Sequence, residues 1–527
     1  MPLGILEDPR MAHVPGTAPL ETIQNSSNIE IGAIDTVGLK HDKSGKFVLV
    51  PQPSDDPNDP LNWPRWRKEM FIVTVIWQVG CVGAIGPLLA PAYVQLADSW
   101  DVSLQTFSSG INGALIICLA GATVIGNVIA VKVGKRPVYL VASIGLMATG
   151  FWGSAAKSWG SFVASRAFAG FCMGPAESLV PASIADIWFV HERGTRTATF
   201  NLALLAGISV GPLIAGQLIQ RYDWRICSYA MAAALAINLI LTFLFMPETA
   251  YARDSPVPME TVAGQVSTGD RKDIKLEEYV KNSAQMPSRT GAAITQASPI
   301  PRKSFWSELA FYSGYYHPIS FWKTMLNPLR LFRSPIVLWT SLVYMTAVVW
   351  IVILTIGASQ IFSASPYNFG IAAVGNTFLS RWMAKKNRGI FEPEFRLPAI
   401  VCYLLFTATG FFSAGQALSH GMPWEIPVIL SFSFVNFGVV IAATAAITYT
   451  VDCHHEHAAE AVSVMVLIKN MFGFGATYFL NDWVAGSGVK DVFFTIGGIT
   501  AAITVTTIPM YIYGKKIRSF VARHNLA

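Results

Sequence analysis

Apolar residues run in blocks of about 20 from near residue 70 to residue 513, separated by short polar connectors. A block of that length, wound as a helix, spans the ~30 Å hydrocarbon core of a bilayer. The pattern predicts six spans at about 70–90, 105–131, 138–156, 162–189, 198–219 and 226–246. Five more follow at about 336–358, 398–418, 427–450, 461–482 and 491–513. The spacing also requires an eighth span in the second set. There, only 14 residues separate Pro366 from Arg381, about 21 Å as a helix and short of the hydrocarbon thickness.

Charge placement orients the spans. Lys132, Lys135, Arg136, Arg193, Arg196, Lys385, Lys386, Arg388, Lys515, Lys516 and Arg518 fall in connectors on one side, while the other side holds few basic residues. Basic connectors stay in the cytosol. The KKNR run at 385–388 therefore belongs on the cytosolic side, and the chain must cross at the short eighth span. The expected architecture is all-α and polytopic with twelve helices. A disordered cytosolic tail covers 1–60, a six-helix bundle 61–250, and a cytosolic linker with an interfacial segment 251–334. A second six-helix bundle covers 335–514 and a cytosolic tail 515–527.

Composition narrows the class. The 527 residues are 52% hydrophobic and 13% charged, where a soluble chain carries about 25% charge. The net charge of +6 lies in connectors rather than in one basic face, so nucleic acid is not an expected partner; the lipid bilayer is. Four of the six cysteines (Cys81, Cys118, Cys172 and Cys402) lie in apolar runs, and no disulfide or metal spacing follows. The DCHHEH stretch at 452–457 has no helical His pair with a third ligand. No phosphate-binding loop, Ser-His-Asp set or zinc-protease pattern occurs. The expectation is a non-enzyme without cofactor or metal.

Charge inside the apolar runs is where function is expected, because it is costly in lipid. The fourth run holds Arg166 and, 11 residues later, Glu177, about 16 Å along a helix and near mid-membrane. A carboxylate there can take and release a proton, or hold a cationic substrate; otherwise it is a protonated carboxyl bonded to a neighbouring helix. Arg166 either biases the charge of nearby acids or snorkels. Lys469, about 8 residues into the eleventh run, either reaches the cytosolic headgroups or faces a cavity and pairs with substrate or a carboxylate. Trp77, Gln78, Asn112, Asn436, Thr444 and Tyr449 are further candidates for a substrate cavity, or helix-packing contacts. Gly207, Gly211, Pro212 and Gly216 in the fifth run let helix backbones approach and bend. Together these residues suggest a membrane transporter.

Six spans, a long link and six more resemble the major facilitator superfamily. GISVGPLIAG at 207–216 resembles the antiporter motif of drug:proton antiporters, and Arg166 to Gly170 resembles the motif opening the fourth helix. GKRP at 134–137 is similar to the end of the helix 2–3 signature, so Gly134, Lys135 and Arg136 take on a conformational gating role by that resemblance. DPLNWPRWRK at 59–68, PET at 247–249 and EPEFRLP at 392–398 resemble the fungal drug:proton antiporter branch. Two features depart from it: Val131 and Lys132 stand where the signature has an acid then a base, and the eighth span is roughly ten residues short. The resemblance implies a proton-coupled efflux antiporter of small organic molecules, working by alternating access as a monomer, with the plasma membrane the expected location. Uptake of organic cations such as polyamines, a nutrient sensor that does not transport, and an inactive product of the short eighth span remain as alternatives.

Overall fold

The computed structural model describes residues 4–8, 10–11, 14–19, 40, 49–251, 303–312, 314, 321–361, 390–420, 434–454 and 457–524. The short eighth span, the KKNR run, the start of the tenth span and the centre of the linker lie outside the described residues.

The first six spans become α1 (Arg65–Ile85), α2 (Leu104–Val133), α3 (Lys135–Ala155), α4 (Trp159–Ile187), α5 (Val190–Arg221) and α6 (Arg225–Phe245). Side chains at the chain turns cap several of them. Ser103 accepts from the amide of Thr106 to start α2, and Ser158 accepts from Ser161 to start α4. Gly134, at φ 99°, allows the tight reversal from α2 into α3 that a residue with a Cβ resists. After the linker come α7 (Pro335–Ile361), α8 (399–419, Ala399–Tyr403 and Thr409–Ser419 joined by a π turn), α9 (Val435–Cys453), α10 (Ala458–Val505) and α11 (Thr507–Arg523). Gly488, at φ 80°, breaks α10 into the expected eleventh span and the start of the twelfth.

Among the described residues nine helices are long and apolar enough to cross a membrane, and α7 makes ten when joined to the short helix before it. That helix, Phe321–Leu331, meets α7 at 83° and leaves Trp322, Leu326 and Leu329 exposed. α4 is 29 residues long, but Arg166, Glu177 and Asp186 lower its apolar character. With α4 included, the described helices account for eleven of the twelve expected spans.

Helix pairs α1–α5 and α2–α4 pack tightly in the first half, and α7–α10 in the second. A methyl group on Gly207 would run into the Gly80 carbonyl, one on Gly83 into that of Leu204, and one on Gly170 into that of Leu115. These contacts are backbone to backbone, so no rotamer change could relieve them. The halves meet where α2, α4 and α5 face α9 and α10.

The two ends of the bundle differ. One collects the starts of α1, α3, α5 and α7 and is rich in ion pairs; the other packs Tyr93, Trp100, Phe107, Trp159, Phe162 and Trp224 as contacting aromatic rings, the two tryptophans Trp100 and Trp159 only partly buried. The described part of the amino-terminal tail departs from the disorder expected of it. Ile5 and Val14 are buried, Ser519 donates to Asp8 at 2.6 Å, and Ala18–Pro19 pair antiparallel with Ile390–Phe391. Short apolar residues spaced among Pro and Gly carry no helical period, which is why this docking was not legible.

Candidate functional site

α4 carries Glu177 to the middle of the bundle and α10 brings Lys469 to it from the other half. The two side chains form an ion pair, each more than nine-tenths buried. They line one cavity with Asn112, Asn470, Ser108, Thr477 and apolar residues of α1, α2, α5 and α7. It offers about 100 Å³ to the centres of water-sized molecules and reaches toward the aromatic end, past Gly86 and Pro87. Tyr344 lies beneath, its ring 5.8 Å from the Lys469 ammonium.

Hydrogen bonding in this cavity is incomplete. Tyr93 donates to Asn112 Oδ1 at 3.1 Å, but Asn112 Nδ2 and Asn470 Nδ2 are buried without acceptors, and the Tyr344 hydroxyl is likewise unpaired. Buried donors left open are costly in a finished core, and natural in a site that a ligand or water completes.

The other candidates scatter. Trp77 is exposed on the outer face of α1 and its Nε1 donates to Ala234 O at 3.0 Å, so it does not reach the cavity. Gln78 is buried with both amide atoms unpaired, yet it does not line the cavity. Thr444 accepts from Asn201 at 3.3 Å and Asn436 from Ser209 at 3.4 Å; both are links between halves. Tyr449 packs edge-on against Trp339 inside the second half. Arg166 donates to Gly86 O at 2.7 Å beside a separate small cavity, so of the two readings it does not snorkel. Of the two readings of Lys469, the structure takes pairing with a carboxylate.

The ion-paired end shows what holds the halves closed there. Asp452, from the DCHHEH stretch, sits between Arg396 Nε at 2.6 Å and Arg193 at 3.6 Å, all three side chains 2% exposed. Arg193 and Asp452 come from different halves. Each guanidinium is also held by backbone: Arg193 by Trp188 O and Ala185 O, Arg396 by Val190 O. Near it, Lys135 bonds Asp186 at 2.5 Å, and Glu248 of the PET motif accepts from the amides of Lys135 and Arg136. Asp186 thus supplies an inter-helix latch, and Glu248 caps α3 against its helix dipole. Sequence reasoning did not single out Asp452 or Glu248. For Glu248 the signal was present, an acid in a motif that returns the chain to the start of α3.

The sequence model of the Major Facilitator Superfamily matches residues 75–478. This chain belongs to the major facilitator superfamily. Among its superfamily relatives is an uncharacterised MFS-type transporter of Schizosaccharomyces pombe, 26% identical, covering 91% of this chain and 90% of its own. Protein HOL1 of Saccharomyces cerevisiae is 24% identical over 97% and 96%. The efflux pump radE of Floropilus chiversii is 21% identical over 88% and 84%. In fold it is similar to the MFS proton:xylose symporter XylE, with a TM-score of 0.56 at 14% identity, covering 85% of this chain and 97% of that one. These matches place it among multi-pass membrane transporters of small molecules, which are not enzymes.

Proposed function

We propose that this chain is a proton-coupled exporter of small organic molecules, monomeric in the plasma membrane with both termini in the cytosol. The observation that carries the reading is the Glu177–Lys469 ion pair, which joins the two halves and lines the cavity between them. A charge pair in that position is the element a proton and a substrate can both act on as the halves rock. The basic connectors support a cytosolic ion-paired end, and on that reading the arrangement described is closed to the cytosol. The name of the radE relative supports the outward direction.

The test uses purified protein in vesicles with an imposed pH gradient and fluorescent drug-like substrates. Wild type should move substrate against its gradient while protons flow the other way, and Glu177→Gln should abolish that flux. Unchanged pH-driven flux in Glu177→Gln overturns the coupling assignment.

A further inference from the structure

Resting on the antiport reading, we propose that the exchanged proton rides on Lys469, and that the substrate is an organic cation that takes its place on Glu177. Among the described residues that line the cavity, Glu177 is the one acid and Lys469 the one base. The pair sums to zero charge. A cation entering this cavity meets the Glu177 carboxylate, which already holds an ammonium. Two cations on one buried carboxylate leave a net charge in a low-dielectric space, which is costly. The lysine can remove that charge by releasing its proton, a step open to an amine and closed to a guanidinium.

The step balances without any further reactant. Glu177–COO⁻ paired with Lys469–NH₃⁺, plus one organic cation, becomes Glu177–COO⁻ paired with that cation, plus Lys469–NH₂ and one proton released to the water in the cavity. Substrate and proton are then mutually exclusive on one carboxylate, and that exclusion is antiport.

The surroundings agree with a cation in this place. The π-face of Tyr344 lies 5.8 Å from the ammonium and would face a replacement cation likewise. The open amide donors of Asn112 and Asn470 ask for oxygen acceptors on the same molecule, so a ligand with an ether or carbonyl oxygen beside its charge, on an apolar body, would gain from them. Among the described residues, the titratable and charged groups around the pair are few. Tyr344 faces it from α7; Arg166, on the same helix as Glu177, is held by Gly86 O. α1, α2 and α5 present neutral side chains to the cavity.

The experiment measures proton release on binding, with purified protein in weakly buffered detergent and a pH dye. The probes are rhodamine 6G and tetraphenylphosphonium, both permanently charged, so any proton comes from the protein. Wild type should release one proton per bound cation, with affinity rising about tenfold per pH unit while the free lysine stays protonated. Lys469→Met should still bind the probes, release no proton and show no pH dependence. Lys469→Arg keeps charge and pair but cannot deprotonate, so it should fold and fail to bind. Proton uptake, no proton change in wild type, no binding of either probe, or normal exchange by Lys469→Arg each overturns the proposal. If wild type shows pH-driven flux and Lys469→Met keeps it, this assignment fails while the antiport reading stands. If wild type shows no pH-driven flux, the antiport reading fails first.

Discussion

Among the described residues two buried ion links join the halves of this molecule, and they are built oppositely. At the ion-paired end Asp452 lies between two arginines, each anchored to backbone carbonyls of its surroundings. In the centre Glu177 meets one lysine beside a cavity with open hydrogen-bonding groups. Arginine holds its charge at any physiological pH and binds as a rigid fork; lysine is a flexible point charge that can let its proton go. The first link is thus a strut with fixed charges, and the second, on the proposed exchange, changes its charge. A transporter that must seal one end firmly and still reset its centre is served by that division.

Removing the acid from each link separates the two most sharply. Asp452→Asn takes the Asp452 charge away from two buried guanidiniums, and should cost about 3–5 kcal/mol of stability. It should show as a large fall in melting temperature or loss of monodisperse protein on size exclusion. Glu177→Gln leaves a single ammonium beside a cavity rather than inside closed packing. Its melting temperature should move far less while pH-driven flux is lost. Equal melting losses in the two variants would remove the distinction.

How legible this was in the sequence differs between the two links. Glu177 stood out because an acid in the middle of an apolar run has few bland explanations, and the superfamily motifs outlined the bundle around it. Lys469 was ambiguous, since a lysine 8 residues into a span is within reach of both headgroups and cavity. The choice depends on the facing helix, and sequence does not show which helix that is. Trp77 was misplaced for a related reason. α1 is apolar nearly all round, so its pattern does not say which face meets the cavity and which the outside. Asp452 was hidden by its company, because a His- and Glu-rich turn reads as a solvated connector until Arg193 and Arg396 are folded onto it from positions 259 and 56 residues away.

Both links need the helices that bear them to stay in close contact, so packing glycines test the frame rather than the charges. Gly207→Ala places a methyl group against the Gly80 carbonyl and Gly170→Ala against that of Leu115. Each should cost about 1–3 kcal/mol, read as a lower melting temperature, and weaken flux without altering proton release per bound cation. A change in that stoichiometry would mean the frame and the central pair are not separable. Gly216→Ala, with only ordinary contacts to Pro91, is the control and should be nearly silent.

Acid should weaken the fixed end. His454, at the end of α9, has its imidazole pushed down to about 4 by burial. The unfolded chain, with an ordinary histidine value near 6.5, therefore binds more protons between pH 6.5 and 4, and stability falls as pH drops through that window. Glu392 adds to this lower down. Burial raises it, but Arg518 and Lys515 outweigh burial and hold it below its ordinary value, so its contribution is present above about pH 4.5 and is lost below. Melting temperature measured from pH 7.5 to 4.5 should decline, on the order of 2 kcal/mol by pH 5, and His454→Gln should flatten the upper part of that decline. A flat wild-type profile would show that His454 does not report on this end.

The smallest expected effect distinguishes a cap from a strut at the same end. Glu248 accepts from the amides of Lys135 and Arg136, and its work is to satisfy the first turn of α3. Glu248→Ala should cost about 1 kcal/mol, within the range for a lost helix cap, and Glu248→Gln, whose amide oxygen can still accept, should recover part of it. Lys135→Ala, which removes the bond to Asp186 instead, leaves an acid that is 28% exposed and can turn to water, and should cost about 1 kcal/mol or less. If Lys135→Ala proved the more damaging, the ion pair rather than the cap would be what holds α3 in place, and the ion-paired end would owe its firmness to charge throughout.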